Sequence, residues 1–280
     1  MILDHENIRR PVMINAPHIL VFDSGVGGLS IVQHIRLHLP HATITYLADN
    51  LFFPYGVLDD QTLLSRTCEI VSWAHNQYQP SLIVLACNSA STLVLPHLRA
   101  ILGVPVVGVV PAIKPAAAMS TTNVIGLLAT PATIQRDYTD ELIAEFAPHC
   151  EVIKVGSAAL VDFVERKMAG LKPTEDEIKH ILSLFNHHPR WSSVDTVVLA
   201  CTHFPLVKLE LSHAAPSIKH WVDSGDAVAR RVKSLLTSLP SELSSEAAVN
   251  RILFTNSSGI TDTLKKGLQP FGFNEITILA

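Results

Sequence analysis

Cys87 and Cys201 are the residues best suited to acid–base or nucleophilic chemistry, because each closes the same short pattern. Residues 82–92 read LIVLACNSAST and residues 196–206 read TVVLACTHFPL. In both, an apolar run ends in Ala-Cys and a hydrogen-bonding pair follows, Asn88-Ser89 or Thr202-His203. The thiols lie 201 − 87 = 114 positions apart, a domain-sized interval. A reference pKa near ~8.5 leaves about 3% thiolate at pH 7, and a helix N-terminus or nearby cation raises that fraction. A cysteine at a strand end is often no more than a small buried hydrophobe. The repetition argues against that reading, since the other two of the four cysteines, Cys68 and Cys150, have no such setting.

The elements that must position these thiols follow from the same residues. A continuous Val/Leu/Ile run bounded by small polar residues predicts a strand buried on both faces. The polar pair behind it suits a helix N-cap. Each copy therefore predicts a thiol at the carboxyl end of a parallel strand, where open α/β sheets hold their ligands. Both thiols are expected to feel a helix N-terminus.

The remaining chain supplies matching units. HILVFD (18–23) predicts a strand that breaks into SGVGGLS and a helix ending before Pro40; ATITYLA (42–48) predicts the next strand. A long amphipathic stretch, 60–77, precedes the first cysteine strand, and Val104–Val110 follows its helix. NVIGLLAT (123–130) then repeats the strand-then-helix order, with PATIQRDYTDELIAEF as one helix opening at Pro131. EVIKVG, a helix through Leu160–Glu165, a charged helix over 174–186 and the second cysteine strand complete this half. HWVDSGD returns the chain to the first unit, and a helix (226–238) and two strands, RILFT and ITILA, end it. Residues 1–17 are expected to be poorly fixed. The whole predicts an α/β chain of two similar domains with mostly parallel sheets, related by a pseudo-two-fold across a central cleft. One domain takes residues 1–113 plus 222–280, the other 114–221.

Composition excludes several classes. The 280 residues are 48% hydrophobic and 16% charged, which suits a compact enzyme-like chain rather than a disordered one. A net charge of −4 gives no basic footprint for nucleic acid. No apolar run is long enough for a bilayer span, and the opening MILDHENIRRPVM lacks the apolar core of a signal peptide. Four widely spaced cysteines do not form a disulfide framework, so free thiols in a reducing cytoplasm are expected.

ILVFDSGVGGLS, PYG at 54–56, VLACNSAS, VPVVGVVPA, IGLLATPAT, LVDFVE, VLACTHFPL and VDSGDAV occur in this order over residues 18–226. This set resembles the glutamate racemases of the aspartate/glutamate racemase superfamily. The resemblance implies cofactor-independent interconversion of L- and D-glutamate, with Cys87 taking the proton from D-glutamate and Cys201 from L-glutamate. Asp23 would assist the first thiol, and Glu165 with His203 the second. Tyr55 and Gly56 would border the substrate with Asp23, Ser24, Asn88, Ser89, Thr130, Thr133, Thr202 and His203. Ser89 stands where the family usually has Thr, and the hydroxyl survives. The resemblance also implies D-glutamate supply for bacterial peptidoglycan and a homodimer. Some members are activated by a cell-wall precursor such as UDP-N-acetylmuramoyl-L-alanine, and some bind DNA gyrase.

The residues carry this chemistry on physical grounds as well. Racemisation removes a weakly acidic Cα proton from one face and delivers one to the other, which two acid–base groups of opposite charge state accomplish. A dicarboxylic substrate usually invites arginine, yet none lies in these motifs. Ser24, Asn88, Ser89, Thr130, Thr133 and Thr202 offer small donors instead, near predicted helix N-termini.

Rival readings fit less well. Gly25-Val26-Gly27-Gly28 with Asp49 some 49 − 28 = 21 residues on imitates a dinucleotide fingerprint, but it is not GxGxxG, and Asp23 would oppose a pyrophosphate. A zinc site from Cys87, Cys201 and His203 lacks any CxxC or HExxH pattern. Pyridoxal phosphate needs a positioned lysine, which no strand-end motif carries. A Cys-His hydrolase would leave Cys87 idle. Neither metal nor cofactor is therefore expected. An aspartate racemase or a non-catalytic binding protein is the remaining alternative. His187, His188, His213 and His220 are read as solvated.

Overall fold

The computed structural model describes residues 16–238, 249–273 and 275–279. The expectation for residues 1–17 falls almost wholly outside this range, as does Ala280 of the last strand.

The apolar runs become two all-parallel sheets. β1 (His18–Asp23), β2 (Thr43–Ala48), β3 (Leu82–Leu85) and β4 (Val106–Gly108) join β9 (Arg251–Phe254) and β10 (Glu275–Ile278) in the order β10-β9-β2-β1-β3-β4. β5 (Val124–Ala129), β6 (Glu151–Gly156), β7 (Thr196–Ala200) and β8 (His220–Val222) form the second sheet, β6-β5-β7-β8. The central strands β3, β5 and β7 are buried along their whole length, as their unbroken Val/Leu/Ile runs require. Helices cover the sheets: α1 (Leu29–His38), α2 (Asp60–Tyr78) and α3 (Asn88–Ile101) in the first unit, with α4 (Ile113–Met119) at the crossing. In the second lie α5 (Pro131–Gln135), α6 (Asp137–Phe146), α7 (Ala158–Met168), α8 (Glu175–Ser183) and α9 (Lys208–Ala214). The chain then returns through α10 (Gly225–Ser238), which packs along α1, and α11 (Asp262–Leu268). Where the two crossing segments meet, Ser224 Oγ donates to the carbonyl of Val110 at 2.5 Å.

Two local expectations are corrected. PATIQRDYTDELIAEF is not one helix: Arg136 is extended (φ −80°, ψ 135°) and separates α5 from α6. Thr139 Oγ1 donates to the Thr133 carbonyl at 2.6 Å, holding the break. Nor does a helix start behind Cys201. An α-helix there would bring the N–H of residue 205 to the Cys201 carbonyl, and Pro205 has none. Phe204 N bonds that carbonyl instead at 3.1 Å, a 3-10 turn spans Phe204–Val207, and α9 begins only at Lys208. Cys87 does cap α3 directly.

Candidate active site

Both cysteines open onto one cavity of about 430 Å³, its open mouth included, between the carboxyl ends of the two sheets. Its lining includes Asp23, Ser24, Tyr55, Gly56, Cys87, Asn88, Ser89, Thr130, Cys201, Thr202 and His203. Two of the expected residues stand one step back. Thr133 is fully buried behind Thr130, with the two hydroxyls 2.9 Å apart, and Glu165 lies behind His203.

The two thiols keep different company. Asp23, at the end of β1, is fully buried and accepts from the backbone N–H of Ser24 (2.8 Å), from that of Gly28, and from Thr202 Oγ1 (3.2 Å). Burial pushes its carboxyl up to about 6, against the pull of His203 and these N–H groups. Burial and then the Asp23 charge hold the Cys87 thiol well above the usual range. The N-terminus of α3 opposes this through the Ala90 N–H, so the thiol does feel the helix, but burial and the carboxylate prevail.

Cys201 has an imidazole. His203 Nδ1 lies 3.7 Å from Cys201 Sγ, and His203 Nε2 lies 2.8 Å from Glu165 Oε1. The same Glu165 oxygen accepts from Val26 N at 2.8 Å, so the β1–α1 loop braces the acid of the opposite unit. Burial disfavours a charged His203, yet its bonds to Cys201 and Glu165 outweigh this and hold its pKa well above the usual imidazole value. Ser30 Oγ fixes the turn by donating to the Thr202 carbonyl at 2.7 Å.

Ser89 Oγ stands 3.2 Å from Thr130 Oγ1, so a row of hydroxyls crosses the cleft from Ser89 through Thr130 to Thr133. Asn88 Oδ1 is buried and has no partner among the described residues, an acceptor free for a substrate N–H. Tyr55 does not offer its hydroxyl to the cavity; it donates to Asp49 Oδ2 at 2.6 Å. Asp49 is therefore a structural acid, also bound bidentately by Arg66 at 2.8 Å, which accounts for the imitation of a dinucleotide fingerprint. Among the described residues no group of three His, Cys, Asp or Glu is arranged to hold a metal ion.

Sequence reasoning missed the apolar walls: Pro54, Val57, Pro131, Ala158 and Val161. A signal existed for Val161, four residues before Glu165 on the same helical face.

Comparison with known proteins gives this constellation its family. Residues 30–232 match the Asp/Glu/Hydantoin racemase model. The chain belongs to that family. Within it, this racemase is 48% identical to the glutamate racemase of Vibrio parahaemolyticus over 93% of its own length and 94% of the relative's. It is 49% identical to that of Shewanella loihica, over 93% and 95%. The crystal structure of Escherichia coli glutamate racemase, in complex with L-glutamate and the activator UDP-MurNAc-ala, superposes with a TM-score of 0.88 at 42% identity, covering 95% of this chain and 98% of that one. This racemase is thus an isomerase of the glutamate type. Among its described residues no helix is long and apolar enough to cross a membrane.

Proposed function

We propose that this racemase interconverts L- and D-glutamate without a cofactor, one thiol taking the Cα proton from one face while the other delivers its own proton to the opposite face. The observation that carries this reading is that Cys87 and Cys201 line one cavity with unlike companions, a carboxylate for one and an imidazole for the other. Cys201 gives its proton to His203, takes the Cα proton of L-glutamate as a thiolate, and Cys87 returns a proton to the opposite face. The reverse direction starts with Asp23 taking the Cys87 proton; the Cys87 thiolate then takes the Cα proton of D-glutamate and Cys201 delivers a proton to the opposite face. Glu165 fixes the imidazole and stabilises its charged form.

Substrate carboxylates meet the Ser24, Ser89, Thr130 and Thr202 hydroxyls and nearby backbone N–H groups, and the Asn88 carbonyl takes the ammonium. The units 1–113 plus 222–280 and 114–221 close on the substrate from either side. The product serves peptidoglycan synthesis in a bacterial cytoplasm, and UDP-MurNAc-ala, the activator of the Escherichia coli relative, activates this enzyme too.

Cα–H exchange in D2O with each enantiomer of glutamate and aspartate, with and without UDP-MurNAc-ala, tests the reading. Exchange and inversion of glutamate are expected, with near-complete loss of inversion in Cys87→Ser and Cys201→Ser. Full turnover by both single variants would remove the mechanism.

A further inference from the structure

The lining motifs contain no arginine, although the proposed substrate carries two carboxylates. The structure places an arginine just outside. At the break between α5 and α6, the Arg136 guanidinium forks onto Asp60, with Nη1–Oδ2 at 3.1 Å and Nη2–Oδ1 at 2.7 Å. Asp60 opens α2 of the six-stranded unit, so the pair spans the cleft. Both residues border a recess of about 1250 Å³ that shares Gly56, Val57 and Pro131 with the catalytic cavity. The recess therefore adjoins the catalytic cavity across these residues, as an outer chamber.

We propose that Arg136 is the carboxylate receptor of this chamber, and that an arriving substrate carboxylate takes the place of Asp60 on its fork and so unlatches the mouth. This rests on the reading of the inner cavity as a glutamate site. The fork already holds a carboxylate in the bidentate geometry that a guanidinium prefers, so Asp60 occupies it as an internal stand-in for the ligand.

The two partners are unequally held. The Arg136 side chain is 14% exposed and that of Asp60 66%, so the cation stays in place and the anion leaves readily. A pair with so exposed a partner is weak, and exchanging one carboxylate for another costs little. Asp137 also borders the recess, so the fork itself, rather than a general positive field, draws the anion.

The pair also tethers the segments that close the inner cavity. A methyl group at Gly56 would come within 3.1 Å of the Thr130 Cβ, so the Tyr55–Val57 turn, just before Asp60, and the start of α5, just before Arg136, are in close contact. Releasing Asp60 frees these two segments to part.

Steady-state racemisation of glutamate by the full chain, in both directions and over a range of ionic strength, tests the proposal. Arg136→Gln is expected to raise KM roughly tenfold while kcat changes less than about twofold, and to flatten the fall of kcat/KM with salt. Asp60→Asn removes the internal competitor and is expected to leave KM unchanged or lower it. If both substitutions raise KM alike, the pair is only a brace and the proposal fails. An unchanged KM in Arg136→Gln overturns it equally. Cα exchange at saturating glutamate bypasses the receptor, and its absence would implicate the racemase reading rather than Arg136.

Discussion

Nδ1 of His203 stands 3.7 Å from Sγ of Cys201, close enough for one proton to pass between ring and thiol inside a buried site. Among the described residues nothing equivalent serves Cys87, whose charged neighbour is the Asp23 carboxylate. The cavity is therefore two-sided in chemistry as well as in architecture. Thr202 joins the sides, because its hydroxyl reaches Asp23 while its chain neighbours are Cys201 and His203.

Glu165→Gln tests the imidazole side. The amide retains a bond to His203 Nε2 but loses the charge that favours the imidazolium. A loss of about 10²-fold in kcat/KM is expected, within the range of positioned acid–base groups. The two enantiomers are isoenergetic in water, so the loss must be equal from L- and from D-glutamate. Polarimetric assays started from each enantiomer measure it, and a loss below threefold would separate Glu165 from the reaction.

Asp23 gives the reaction an acid limb. Its carboxyl is raised to about 6, and only the ionised form can take the Cys87 proton. In the free enzyme, kcat/KM is expected to fall about tenfold per pH unit below that value. A pH–rate profile between 4.5 and 8 checks this; a midpoint near the ordinary carboxylate value would assign the limb elsewhere.

How much of this could be read from the sequence depends on where the information lies. Cys87 and its helix were legible because the strand run, the cap and α3 are contiguous. The four-strand core of the second unit was legible for the same reason. The gap between Cys201 and α9 was not, although Pro205 held the clue: one missing N–H decides whether a helix can start there. The break at Arg136 had no local signal, because QRDYTDELIAEF has good helical periodicity and the Arg136–Asp60 bond joins residues 76 apart. Tyr55 was decided by a side chain only six positions earlier, Asp49, which draws its hydroxyl away from the cavity. The final strand and α11 follow residues of weaker pattern, and α11 was not foreseen.

Burial of Asp23 should also be visible in stability. Its folded pKa lies above the unfolded one, so the folded state binds the extra proton between about 4 and 6. Stability therefore falls as pH rises through that window, and the full cost, of order 3 kcal/mol, is present above about 6. Asp23→Asn cannot ionise and escapes this dependence. The unfolding free energy of Asp23→Asn minus that of the wild type is expected to grow with pH from 4 to 7, then level off. Urea denaturation at matched pH values measures the difference; a difference constant with pH would contradict the raised carboxyl.

Gly27 offers a test of how finely the imidazole side is placed. A Cβ built there would lie 2.3 Å from His203 Nδ1 and 2.7 Å from Thr202 Oγ1, so the loop backbone passes too close to the catalytic ring for any side chain. The added methyl must push His203 away from Cys201. A displacement of about 1 Å at such a group costs on the order of 10²-fold in rate. Gly27→Ala is therefore expected to lose that much kcat. Gly103→Ala, where none of the described residues lies within 4 Å of the added carbon, should stay within about twofold of the wild type. Thermal unfolding separates the outcomes: a Gly27→Ala protein that melts near the wild-type temperature yet turns over slowly has lost placement rather than fold. One that keeps full activity would mean that His203 has room to retreat without cost, and that the 3.7 Å separation from Cys201 is not what the reaction requires.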